Sequence, residues 1–183
     1  MGSHRHFLSR YSSYSFDLMR RFAVLPLALA LLVPGAPLAA RDSLGIFGDW
    51  GSFRDPEVPR CYAIALNEQH HGKNNAQGFT SIGTWPKRQI GGQIHIRLSR
   101  PLASKSRIRL SVGNHRFTLT GNGTDAWAQD KAMDAAITAA MRSASAMSVT
   151  AVSDQGRHFT DRYSLAGVAS AMDAATLACA KQR

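Results

Sequence analysis

Between Gln93 and Leu119 apolar and polar residues alternate in three short runs. Ile94, Ile96 and Leu98, then Ile108, Leu110 and Val112, then Phe117 and Leu119 recur at every second position, so on a strand each set shares one face. His95, Arg97, Ser99, Arg107, Arg109, Ser111, Arg116 and Thr118 occupy the other set of positions. The pattern predicts the centre of an antiparallel sheet, apolar on its buried side and basic on its outward side. Gly113-Asn114 is a two-residue hairpin signal between the last two runs, and Pro101 to Ser106 forms the longer turn before them.

The flanking segments extend this picture. Asp42 to Pro59, rich in Gly and Pro, predicts an irregular entry strand with a loop. Cys61 to Leu66 predicts a short buried strand, Asn67 to Gly78 a polar loop, and Phe79 to Trp85 a strand ended by Pro86. Gly121-Asn122-Gly123 breaks the sheet pattern, leaving Thr124 or Asp125 to cap the next element. From about Asp130 to Ala144, Met133, Ile137 and Met141 recur every fourth residue beside Ala136, Ala140 and Ala144, which predicts a helix. Met147 to Val152 and His158 to Leu165 read as paired strands around a turn at Ser153 to Gly156. A second helix runs from about Gly167 to Ala180, with Val168, Met172, Ala175 and Cys179 along one face. The fold class is therefore α+β: a small antiparallel sandwich or sheet of about seven to eight strands packed with two short Ala-rich helices.

The first forty residues read as an address. Arg20 and Arg21 precede an apolar run from Phe22 to Val33, followed by Pro34-Gly35 and the small residues up to Ala40, in the order of a secretory signal. The run is shorter than the roughly 20 residues that span a bilayer; a retained signal-anchor is the alternative. Residues 19–40 are read as a Sec-type signal peptide cleaved near Ala40, and residues 1–18, upstream of Met19, as an extension before the true start. A long n-region or an affixed tag are the other readings of Met1 to Leu18. Residues 41–183 then form one domain, exported to the periplasm or secreted.

Of the formal net charge of +10 carried by the 183 residues, Arg5, Arg10, Arg20 and Arg21 against Asp17 account for three, so residues 41–183 keep +7. Lys87 to Arg116 holds eight Lys or Arg and no Asp or Glu. This favours anionic partners, an envelope polymer, a lipid or a host surface, with no signature of specific nucleic-acid recognition. If the three central strands are neighbours, His95, Arg97, Arg107, Arg109 and Arg116 converge on one outward face. Arginine forks there can hold carboxylate or phosphate bidentately; a solvated basic face that guards sheet edges is the competing reading. Cys61 and Cys179, the two cysteines, are most simply one disulfide in an exported protein, with free thiols or an intermolecular bridge as alternatives.

The chain resembles the invasion-associated locus B family of exported proteins. The resemblance rests on the signal peptide, Phe47-Gly48-Asp49-Trp50 before Cys61, the strand end Leu110-Ser111-Val112-Gly113, and the closing run Tyr163 to Met172. It implies a sheet-rich sandwich with small helices, exported, and a name taken from a locus linked to host-cell invasion; it implies no biochemical activity. Family members often carry a further cysteine pair in the middle segment, where this chain has Asp125-Ala126-Trp127-Ala128.

Catalytic signals are weak. Ser99, His95, His115, His158, Asp154 and Asp161 could in principle form a triad, but no G-x-S-x-G frames a serine. His70-His71 lacks metal-ligand spacing, and Gly91-Gly92 and Gly121-Asn122-Gly123 read as turn glycines rather than a phosphate loop. Trp50, Trp85 and Trp127 fit packing better than a stacking platform. The expectation is a non-enzymatic envelope or secreted accessory protein without catalytic, metal or cofactor residues; an envelope enzyme with an unrecognised site, or a structural subunit of an envelope complex, are the alternatives.

Overall fold

A computed structural model describes residues 41–68 and 77–180. The signal segment, the stretch upstream of it and the His70-His71 pair lie outside the described residues. Among the described residues ten strands and two α-helices occur in chain order: β1 (Asp42–Phe47), β2 (Trp50–Asp55), β3 (Arg60–Leu66), β4 (Phe79–Trp85), β5 (Ile90–Arg97), β6 (Ile108–Val112), β7 (His115–Asn122), β8 (Asp125–Trp127), α1 (Lys131–Ser143), β9 (Ala146–Val152), β10 (His158–Ser164) and α2 (Val168–Ala180). The strands form one antiparallel sheet in the order β1-β2-β3-β4-β5-β8-β7-β6-β9-β10.

The apolar half of the central alternation is the core. Ile94, Ile96, Leu98, Ile108, Leu110 and Val112 are buried, joined by Met147, Val149, Phe159 and Tyr163 from β9 and β10. Ile137 and Met141 of α1 and Val168, Ala171 and Met172 of α2 pack into the same cluster. The alanines beside them let the helices lie close to the sheet. Asp130 caps α1, its Oδ1 accepting from Met133 N at 2.8 Å, so the cap lies five residues beyond the expected Asp125.

The sheet turns over on itself. Glu68 N, just past β3, donates to Arg162 O of β10 at 2.9 Å, and Arg162 N donates to Asn67 Oδ1 at 3.1 Å. The β1–β2 turn completes the closure against the corner between β10 and α2. Asp49 N donates to Ala166 O at 3.1 Å, and Trp50 Nε1 to Ser164 O at 3.0 Å. Both corners need glycine: Gly167 has φ +88 and an added Cβ would stand 1.9 Å from Phe47 O, while Gly48 has φ +57 and would press on Ala166 O.

Two differences raise the strand count from the expected seven or eight. The entry segment is a complete hairpin, β1 and β2, and Asp125 to Trp127 is a strand. Gly91-Gly92 lies within β5, next to the register shift between Gly83 and Trp85, rather than in a turn. Cys61 and Cys179 form a disulfide with Cα atoms 5.8 Å apart, which ties the last turn of α2 to β3. Among the described residues no helix is long and apolar enough to cross a membrane.

Candidate anion-binding site

β8 sits between β5 and β7, so the three alternating runs are not consecutive neighbours. Their polar positions still share the outward face. His95 stands opposite Trp127, Trp127 opposite Thr120, and, two residues along β7, Thr118 opposite Arg109, which faces Thr150. The inserted strand divides the predicted cluster in two.

His95 and Arg97 belong to the first part and are committed to Asp125 of β8. His95 Nε2 lies 2.8 Å from Asp125 Oδ1, and Arg97 Nη1 donates to both carboxylate oxygens at 3.1 and 3.0 Å. Burial raises the Asp125 pKa, but the hydrogen bonds from His95 and Arg97 and the Arg97 charge outweigh it, so the carboxyl is held below its ordinary range. The His95 ring stacks on Trp127, with centroids 5.4 Å apart, and meets the edge of Phe79 at 5.6 Å. This part is an aromatic patch whose charges are internally balanced.

Arg107, Arg109 and Arg116 form the second part. They line one shallow groove of about 330 Å³ with Ser111, Thr118 and Thr150, and Phe117 borders it. Strand register explains the convergence, because Arg109 pairs with Thr118 and Ser111 with Arg116, while Arg107 lies two residues before Arg109. Among the described residues no carboxylate lies within ion-pair distance of these three guanidiniums. Arg116 is held by its own hairpin, Nη1 donating to Gly113 O at 2.9 Å and His115 O at 3.0 Å. A guanidinium has five N–H donors, so most of its fork stays available in a fixed position.

The remaining polar positions lead elsewhere. Asp161 is buried and accepts from Ser99 N at 2.9 Å, Ser99 Oγ at 2.6 Å and Asn67 Nδ2 at 2.9 Å. This joins the start of the β5–β6 connection to β10 and the end of β3. His115 and His158 are exposed at the surface, and neither shares that network. Tyr163, two residues on, has its phenol pushed far above its ordinary pKa by burial and then by the Asp161 charge. A cavity of about 110 Å³ between the sheet and the helices is lined by groups already committed: Thr138 Oγ1 and Thr176 Oγ1 donate to carbonyls of their own helices, and Arg142 pairs with Asp173 at 2.7 Å. Among the described residues no three His, Cys, Asp or Glu are grouped to hold a metal ion. Trp50 is wholly buried, and Trp85 covers Gly83, so the tryptophans do not form one platform.

Sequence reasoning missed Asp125 as the residue that pairs with two of the five members of the expected cluster. The signal was present in the spacing, since Asp125 and Trp127 alternate like the strands before them. Together these features define a sheet-rich α+β protein closed by one disulfide, with a basic groove on its outer face. Residues 55–176 match the family described as "Invasion associated locus B (IalB) protein", and the chain belongs to that family. No curated protein and no solved structure matches it. The matched span contains the groove, β8 and Cys61, while Trp50 and Cys179, which close the fold, flank it.

Proposed function

We propose that this family member is an exported accessory protein that acts by binding rather than by catalysis, holding an anionic group of an envelope or host surface in the Arg107–Arg109–Arg116 groove. One observation carries the reading: three guanidiniums converge on one groove and none is neutralised by a carboxylate among the described residues. An arginine fork matches a carboxylate or phosphate bidentately, and three forks on one groove can hold one such group together. The hydroxyls of Ser111, Thr118 and Thr150 add neutral donors beside the charge.

A charge-matched comparison tests this. Arg107→Glu with Arg109→Glu removes binding to anionic vesicles and envelope fractions, while Lys87→Glu with Arg88→Glu, an equal charge change on other exposed residues, reduces it only slightly. Equal losses in the two pairs would reduce the groove to a contributor of net charge and remove the proposal.

A further inference from the structure

The groove does not stand alone on its face. Going from β6 to β8 across β7, the outward positions are Arg109, then Thr118 and Thr120, then Trp127 stacked on His95. With strand spacings of about 4.8 Å and a two-residue step along β7, Arg109 and Trp127 are on the order of 12 Å apart at the backbone. The intervening threonines are short and exposed, and the Gln129 side chain lies beside them, donating to Thr118 O at 3.0 Å.

We infer that this surface takes an acidic oligosaccharide laid across β8, β7 and β6, one sugar ring against Trp127 and an acidic substituent further along the chain in the arginine groove. The inference rests on the anion-binding reading and names its ligand class. Charge distribution selects the class. At Trp127 the Asp125 carboxylate cancels Arg97, leaving a neutral, half-buried aromatic surface, whereas at Arg107, Arg109 and Arg116 the charge is uncancelled. A ligand that fits has a neutral ring at one end and a carboxylate or phosphate a short distance away. Nucleic acid carries a phosphate at every step and needs cations along its whole track. A lipid surface needs aliphatic side chains beside the cations, but among the described residues none lines the groove: the exposed Ile46, Val58, Leu66 and Leu177 lie on β1, in the β2–β3 connection, at the end of β3 and on α2. Sugars offer C–H groups to the electron-rich ring face and hydroxyls to Thr118 and Thr120.

Calorimetric titration of residues 41–183 with polygalacturonate and with phosphorylated dextran, against unmodified dextran, oligothymidylate and anionic vesicles, provides the test. Binding to either acidic glycan over the other probes is expected, and which one binds identifies the anionic group. Trp127→Leu lowers that affinity about five- to tenfold and Trp127→Phe restores most of it, while both leave the weak binding of inorganic phosphate at the arginines unchanged. Thermal melts of the variants separate lost binding from lost fold. If Trp127→Leu leaves glycan affinity intact although Arg107→Glu with Arg109→Glu abolishes it, the glycan platform is wrong and the anion groove stands. Preference for oligothymidylate or vesicles overturns the inference, as does binding to none of the probes.

Discussion

The indole Nε1 of Trp50 donates to the Ser164 carbonyl at 3.0 Å, across 114 positions of sequence. The bond fastens the first hairpin to the corner where β10 gives way to α2, and it explains why Phe47-Gly48-Asp49-Trp50 and Tyr163-Ser164-Leu165-Ala166-Gly167 are marked stretches without chemistry of their own. They are two halves of one backbone clasp.

The clasp is sensitive to small changes. Gly167→Ala places a methyl group against Phe47 O at a left-handed φ, and is expected to cost about 3 kcal/mol or more, or to prevent folding. Trp50→Phe loses the hydrogen bond and leaves a void in the core, costing about 2–3 kcal/mol. Urea unfolding of the two variants checks both figures; wild-type stability in either would show that the clasp is incidental.

Reduction of the disulfide should be costly. The bridge spans 118 positions, and the chain-entropy model gives about 4–5 kcal/mol for such a loop, an upper figure. Cys61→Ser with Cys179→Ser is expected to melt well below the wild type and to lose amide protection first in α2, whose last turn the bridge holds. Non-reducing mass spectrometry establishes the bridge in the isolated protein.

Asp134 and Asp125 act on stability in acid in opposite directions. Burial first, with the Asp130 charge, raises the Asp134 pKa despite the bond its Oδ1 accepts from Ile94 N at 2.9 Å. The folded state therefore binds that proton more tightly than the unfolded chain, and Asp134 removes stability as pH rises from the ordinary carboxylate value through the raised one. Asp134→Asn keeps an acceptor for Ile94 and discards the charge. Its stability at pH 7 is expected to equal or exceed the wild type by up to about 1 kcal/mol, with a steeper acid limb, because the stability that Asp134 regains on protonation no longer offsets the acid loss. Asp125, held low, contributes stability above the ordinary carboxylate value, and this is lost as pH falls below it. A flatter acid limb in Asp134→Asn would reverse the sign assigned here.

Asp125→Asn should change function more than fold. The substitution leaves hydrogen-bonding atoms near His95 and Arg97 but frees the Arg97 charge on the same face as the groove. Affinity for inorganic phosphate or an acidic glycan is expected to rise about two- to fivefold at low salt, an effect that fades as salt is added. A fall in affinity would mean that Asp125 contacts the ligand directly.

Much of this was legible from residue order. Strict alternation placed Ile94 to Leu119 on strands, spacings of three and four marked the helices, and an even cysteine pair named the disulfide. β8 was hidden by Gly121, which looks like a terminator. An added Cβ there would stand 2.3 Å from Asp125 O, so this glycine permits a close strand approach instead of ending the sheet. The entry hairpin was obscured because Gly45 and Gly51 interrupt its alternation. The charge run located the arginines but not their partners. Arg97 and Arg109 look alike in sequence, and only the strand order shows that one faces a carboxylate and the other does not.

The most direct measurement is a titration of the arginine side-chain Nε–Hε resonances with inorganic phosphate. Concerted shifts at Arg107, Arg109 and Arg116, saturating together while Arg97 and Arg54 stay still, are the predicted result. Shifts spread evenly over all exposed arginines, or larger at Arg97 than in the groove, would contradict the assignment of the anion site.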